Sequence, residues 1–218
     1  MNNLEKKYYD YLISENAKYN LTNITDIEEA MCKHFNDSYM LGEVFDLNKD
    51  ISLCDIGSGA GFPSIALKLK YPNIKVTIIE AMKKRCDFLE NLVKLLDLKD
   101  VTIICDRAEN LKDLRESFDI VTARAVASLS ILVEICSQFV KVGGYFAPYK
   151  GSNYLEEIDL AKNAISTLGF RYEGVKEYKL IDANGTNYGL HAIIKYQKIK
   201  STNLKYPRLY SQIKKKSL

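Results

Sequence analysis

From residue 51 onward the chain alternates short, solidly apolar runs with stretches in which apolar residues recur every three or four positions. The runs at 51–56, 75–80, 101–106 and 118–123 have strand length and are rich in isoleucine and valine. Stretches 62–70, 84–96 and 129–140 carry helical periodicity. The first is stopped by Tyr71-Pro72, because a residue before proline leaves the α region. Lys141-Val-Gly-Gly144 reads as a turn into a strand at 145–149, and Asn153 with Glu156 as the cap of a helix that Gly169 ends. Asn184-Gly185 between two further strands predicts a hairpin. Strand–helix alternation predicts a mostly parallel, doubly wound α/β sheet, and the late hairpin adds an antiparallel edge.

The first 45 residues differ in pattern. Leu4, Tyr8, Tyr11, Leu12 and Tyr19 recur near helical spacing, and Asn20-Leu-Thr-Asn-Ile24 interrupts them. Thr25 and Glu28 have the spacing of a capping box for a second helix reaching about Val44. No Pro/Gly-rich linker follows, so one domain over 1–218 is expected, with a helical cap (1–45), an α/β core (51–198) and a basic tail (199–218).

Composition narrows the classes. A hydrophobic share of 47% supplies a real core for 218 residues, and a net charge of +3 favours no particular partner. No apolar run approaches the roughly 20 residues that span a bilayer, and the N-terminus lacks a secretory pattern. No membrane association and a cytoplasmic location are therefore expected. The five cysteines are scattered, never in C-x-x-C spacing, and there are only two histidines, so structural thiols and no metal site are expected. Cys54 and Cys105 fall inside apolar runs and read as buried small hydrophobes.

The candidate chemistry lies where the strands exit. Gly57, Gly59 and Gly61 follow the first strand and open a helix. Such a loop lets backbone approach a ligand, with helix N–H groups aimed at it. A dinucleotide fingerprint, G-x-G-x-x-G, needs its third glycine where this chain has Phe62. The spacing D-x-G-x-G-x-G instead resembles the first motif of Rossmann-like methyltransferases, which implies S-adenosyl-L-methionine. Glu80 ends the second strand, where an acid can accept hydrogen bonds from both ribose hydroxyls. Ala108 and Glu109 follow the third strand, placed to meet the adenine end. Arg124 follows the fourth, as either an anion partner or a surface ion pair.

These residues carry a resemblance that runs nearly end to end. Asp55-Ile-Gly-Ser-Gly-Ala-Gly-Phe-Pro63, Lys84-Arg85, Arg107-Ala-Glu109, Phe118-Asp119, Ala123-Arg-Ala-Val-Ala127 and Lys150-Gly151 together resemble the ribosomal RNA small-subunit methyltransferase G family, formerly glucose-inhibited division protein B. Tyr19-Asn-Leu-Thr22, His34 with Asp37-Ser38, and the tail from Tyr206-Pro-Arg208 to Lys216-Ser-Leu218 are similar too. The resemblance implies a Rossmann-like class I fold and methyl transfer from S-adenosyl-L-methionine to N7 of a guanine in 16S ribosomal RNA. It implies cofactor contacts at Gly57, Phe62, Ala108, Glu109 and Arg124, with Glu80 at the ribose. Ser64 departs from it, since the family usually shows glycine after Phe-Pro. Guanine N7 has a free lone pair, so no catalytic base is named; His34 is expected to order the cap.

The partner implied is 16S ribosomal RNA or the small subunit, met by a monomer. Two basic clusters are candidates for gripping it. Arg208, Lys214, Lys215 and Lys216 lie in a tail without acids from Ser201 to Leu218, interleaved with Tyr206 and Tyr210. Lys83, Lys84 and Arg85 open a helix, where cations oppose the dipole. A methyltransferase for a small molecule or protein, a non-catalytic nucleotide-binding regulator and, most distantly, an oxidoreductase are the competing readings.

Overall fold

A computed structural model describes all 218 residues. Helix α1 (Asn3–Tyr19) starts at Asn2, whose side chain accepts from the amides of Leu4 and Glu5 while the Glu5 carboxylate takes the Asn2 N–H. It ends where Asn20 turns left-handed at φ 49°. A second helical stretch runs through α2 (Ile27–Ala30), a π-helical segment (Met31–Asn36), α3 (Asp37–Tyr39) and a 3₁₀ turn (Met40–Glu43). Its cap is Asp26, accepting from the Glu29 amide at 2.9 Å, one residue beyond the expected Thr25–Glu28 pair. A carboxylate at the helix start also answers the dipole.

The core then follows as β1 (Ser52–Ile56), α4 (Ser64–Lys70), β2 (Lys75–Glu80), α5 (Lys83–Leu95), β3 (Val101–Cys105), β4 (Phe118–Thr122), α6 (Leu129–Ser137), β5 (Val140–Phe146), β6 (Tyr149–Lys150), α7 (Tyr154–Thr167), β7 (Phe170–Ile181), β8 (Asn187–Lys198) and α8 (Tyr210–Lys215). The strand order is β3-β2-β1-β4-β5-β8-β6, with β7 also paired to β8. Strands β1 to β5 are parallel; in register, Leu53 faces Val76 on one side and Ile120 on the other. The β7–β8 hairpin supplies the antiparallel edge.

Three local expectations need correcting. Lys141 to Gly144 lie inside β5 rather than in a turn: β5 pairs with β4 at Val140 and again at Tyr145 and Phe146, and the two glycines fall where the register shifts between them. Asn153 precedes α7 without a side-chain cap bond. The hairpin expected at Asn184-Gly185 does form, with a connection over 182–186 wound on Asp182, whose carboxylate accepts from the amides of Asn184 and Thr186. Cys105 is exposed on the outermost strand, whereas Cys54 is buried in the middle of the sheet, and all five thiols are free.

Alternation along the strands sends successive side chains to opposite faces. Leu53, Val76, Ile78, Ile120 and Ile193 pack with α1, α4 and α5 on one face; Cys54, Ile79, Val121, Ala192 and Ile194 pack with α6 and α7 on the other. A sheet buried on both faces explains the solidly apolar runs. The tail belongs to the second face. Tyr206 is buried, and Ile213 of α8 is fully buried within that core.

Candidate active site

In a parallel sheet, ligands sit beyond the carboxyl ends of strands where the strand order reverses. Here that point lies between β1 and β4. Gly57, Glu80, Asp106 and Arg124 all stand at the exits of β1 to β4 on this edge.

The glycine loop is shaped mainly by the protein itself. Gly57 is left-handed (φ 73°) and donates to the Ile79 carbonyl at 2.8 Å; a Cβ there would come within 2.8 Å of Val126. Gly61 (φ 99°) lies under the helical cap, where a Cβ would press on Tyr8 and Ile65. Gly59 faces open space and donates to the Glu80 carboxylate at 3.1 Å. The first amide of α4, that of Ser64, goes to the buried Asp55 carboxylate at 3.3 Å, so that helix start serves the protein and not a ligand, against expectation. Burial pushes the Asp55 carboxyl up to about 6, although the hydroxyls of Ser58 and Ser64 pull the other way. Ser64 is buried 3.0 Å from the Ser58 hydroxyl, so the serine found where the family usually has glycine joins the loop's hydrogen bonding.

Two clefts flank the loop. The first, of about 320 Å³, is lined by Gly57, Glu80, Met82, Arg85, Ala108 and Glu109, among others. Glu80 is only 3% exposed; its second oxygen accepts from the Met82 amide at 2.9 Å. Each carboxylate oxygen has room for a further donor, as a ribose hydroxyl would be. Glu109 is held by the Arg107 Nε at 2.7 Å. With Glu80, Asp106 and Glu109 against Arg85 and Arg107, the lining does not suit a doubly charged pyrophosphate. It does suit a nucleoside whose other end carries a sulfonium beside a carboxylate. The cleft therefore fits S-adenosylmethionine: an acid at the ribose position, a backbone approach at Gly57 that a Cβ would close, and an apolar wall at the exit of β3.

The second cleft, of about 420 Å³, is lined by His34, Asp37, Arg124, Tyr149, Lys150 and His191, among others. Ala125 (φ 56°) lines both, so the two clefts meet there. Asp37 is the hub: it accepts from Arg124 at 2.6 Å and Tyr178 at 2.7 Å, with His191 Nδ1 at 3.3 Å. Burial alone would raise its carboxyl, but hydrogen bonds from His191, Tyr178 and Arg124 hold it below the usual range. The His34 ring stacks on Phe62 with centroids 4.6 Å apart, and its Nε2 lies 2.9 Å from the Thr22 hydroxyl. Burial, then the neighbouring Arg124 charge, lowers its pKa to about 3. It orders the cap, as expected, and also walls the cleft.

The expected site residues thus divide. Gly57, Glu80, Ala108 and Glu109 come together in one cleft. Arg124 points into the other, tied to Asp37, and Phe62 is buried between Tyr8 and His34. Arg85, expected with the RNA-binding residues, stands in the first cleft, 3.9 Å from Glu80, while Lys83 pairs with Asp87 on the surface and Lys84 is exposed. Arg208 is no free cation: it forks onto Glu134, which is fully buried, at 2.8 and 2.6 Å. Lys214, Lys215 and Lys216 remain exposed. Tyr178 and His191 had no local signal, because only the β7–β8 hairpin brings them to Asp37, which the sequence singled out by resemblance alone. No group of three or more metal-ligating side chains occurs, and no helix is long and apolar enough to cross a membrane.

Sheet order and cleft define a class I, S-adenosylmethionine-dependent methyltransferase fold. Solved structures agree: a SAM dependent methyltransferase from Aquifex aeolicus matches with TM-score 0.58 and 17% identity over 78% of this chain and 93% of that one. M. jannaschii TYW2 in complex with AdoMet matches with TM-score 0.57 and 20% identity over 73% and 76%. Sequence is more specific. The profile of the family described as "GidB: rRNA small subunit methyltransferase G" matches residues 1–184. Proteins named ribosomal RNA small subunit methyltransferase G from Staphylococcus carnosus and Bacillus subtilis are each 45% identical over 92% of this chain and 84% of their own. The chain belongs to the rRNA small subunit methyltransferase G family.

Proposed function

We propose that this chain transfers the methyl group of S-adenosyl-L-methionine to N7 of a guanine in 16S ribosomal RNA, with the first cleft holding the cofactor and the second receiving the base. The observation that carries this division is the meeting of the two clefts at Ala125, beside the glycine loop. Gly57, Glu80, Ala108 and Glu109 bind the nucleoside, Gly59 and Gly61 give the loop its shape, and Phe62 sets the wall on which His34 lies. Arg124, fixed by Asp37, stands at the acceptor side.

When bound, the cofactor supplies an electrophilic methyl on a positively charged sulfur. The chain's own residues supply alignment. Asp37 accepts from Arg124 and Tyr178 beside His191 and is held below the usual carboxylate range. His34 has its Nε2 against the Thr22 hydroxyl and its pKa lowered to about 3, and the Glu157 carboxylate accepts from Lys150 at 2.7 Å and the Leu129 amide at 2.6 Å. None is a free base, and the N7 lone pair needs none. What the two clefts would contribute is orientation, bringing a bound nucleophile within the ~3–3.5 Å of a near-attack arrangement. Exposed Lys84 and Lys214–Lys216 are the surface cations for RNA phosphates. The protein works in the cytoplasm, as a monomer, on the small subunit or its RNA. The test is incubation of unmodified small subunits and naked 16S RNA with labelled cofactor, followed by mapping of 7-methylguanine. Transfer at one guanine is expected; no transfer in any assembly state would overturn the acceptor.

A further inference from the structure

We infer that Tyr210, on the tail helix α8, is a cofactor-binding residue whose ring forms the stacking surface for the adenine base; this rests on reading the first cleft as the cofactor site. Tyr210 is the one aromatic residue lining that cleft, together with Ile79, Ala108 and Ile135. Glu80 marks the ribose position at the exit of β2, so the base beyond it lies toward the exit of the neighbouring β3, where Ala108 stands. A flat, neutral purine next to an apolar wall gains most from an aromatic face.

The ring is placed by anchors and not by chance. Two residues earlier, Arg208 forks onto buried Glu134; three residues later, Ile213 is fully buried. Residues three apart share a helix face, so burying Ile213 turns Tyr210 inward, while Lys214 and Lys215 are exposed. The Arg107 guanidinium lies 5.0 Å from the ring centroid, and Arg107 is itself tied to Glu109, so the tail and the β3 exit hold each other. A tail expected only to grip RNA thereby completes the cofactor cleft.

The test is calorimetric binding of S-adenosylhomocysteine and of adenosine to the full chain, with Tyr210→Phe, Tyr210→Leu and Tyr210→Ala. Loss of one stacking surface should weaken both ligands by about 5- to 140-fold in the Ala and Leu variants, which is ~1–3 kcal/mol, while Phe stays within about threefold of wild type. Leucine keeps the apolar bulk under α8, so its melting temperature should stay within about 2 °C. In turnover, KM for the cofactor should rise while kcat at saturation holds. Wild-type adenosine affinity in Tyr210→Leu would overturn the assignment. A wild-type protein that binds neither ligand would instead sink the cofactor reading, and this inference with it.

Discussion

Replacing Arg208 by alanine separates two roles for the same cation, a clasp inside the fold or a grip on RNA. Its guanidinium donates twice to Glu134 and its backbone N–H donates once more, at 3.0 Å. Glu134 is 0% exposed and Arg208 27% by side chain, so water reaches only the arginine's side of the pair. Removing the arginine strands a buried carboxylate, for which losses of about 3–5 kcal/mol are typical; partial access for water puts the expected loss near ~3 kcal/mol. At roughly 2–4 °C per kcal/mol for a chain of this size, the melting temperature should fall by about 6–12 °C. Thermal and urea unfolding measure this directly. The double variant Arg208→Met, Glu134→Leu removes both charges and should recover most of the loss, because an apolar pair of similar volume has no stranded group. RNA binding by Arg208→Ala, measured below its melting temperature at several salt concentrations, should keep the wild-type slope. A melting temperature within about 2 °C of wild type, combined with a salt slope reduced by about one, would refute the clasp.

Three further outcomes are expected. Gly57→Ala should weaken S-adenosylhomocysteine binding by about tenfold or more, because its Cβ would come within 2.8 Å of Val126 across the cleft both residues line, and the left-handed backbone, which costs ~1–2 kcal/mol with a Cβ, would shift the cleft wall in relieving it; unchanged affinity by calorimetry would show that the loop does not approach the ligand there. His34 binds a proton only near pH 3 when folded but near ~6.5 when unfolded, so its contribution is full above about pH 6.5 and is lost as pH falls toward 3. Asp55 opposes this between about 4 and 6, since burial makes the folded state hold its proton. Urea melts from pH 7.5 to 5 should therefore show a flatter acid-side loss in His34→Gln than in wild type, and parallel curves would count against a buried neutral imidazole. Charge reversal at Lys214–Lys216 should weaken RNA binding and lower its salt dependence by about one unit per lost phosphate contact, with cofactor affinity unchanged; RNA binding equal to wild type would remove these lysines from the interface.

The strands of the parallel core were legible because a sheet covered on both faces demands unbroken apolar runs, and β1, β2 and β4 have them. The exit residues Gly57, Glu80, Ala108 and Glu109 were legible for the same reason: once the strands are known to be parallel, every exit lies on one edge. Caps and turns were less so. Thr25 and Asp26 are both capping residues, and the choice fell to where the Glu29 amide points. Cys105 read as buried because its run is apolar, but β3 is the last strand and has no neighbour beyond it.

Charge was where one-dimensional reading misled. Arg85, Arg208 and Lys214 look alike as cations in basic runs, yet one walls a cleft, one neutralises a carboxylate 74 residues away, and one stands in water. The sequence alone determined the parallel sheet with most of its strands and helices, since these depend on periodicity, and pointed to the cofactor class through the motif that its glycine spacing resembles. Only the tertiary structure decided which charges are free, that Arg124 belongs with Asp37, Tyr178 and His191, and that the tail returns to the cofactor cleft. Those facts depend on contacts between distant segments, and a charge's role is set by what desolvates and pairs it, not by its neighbours along the chain.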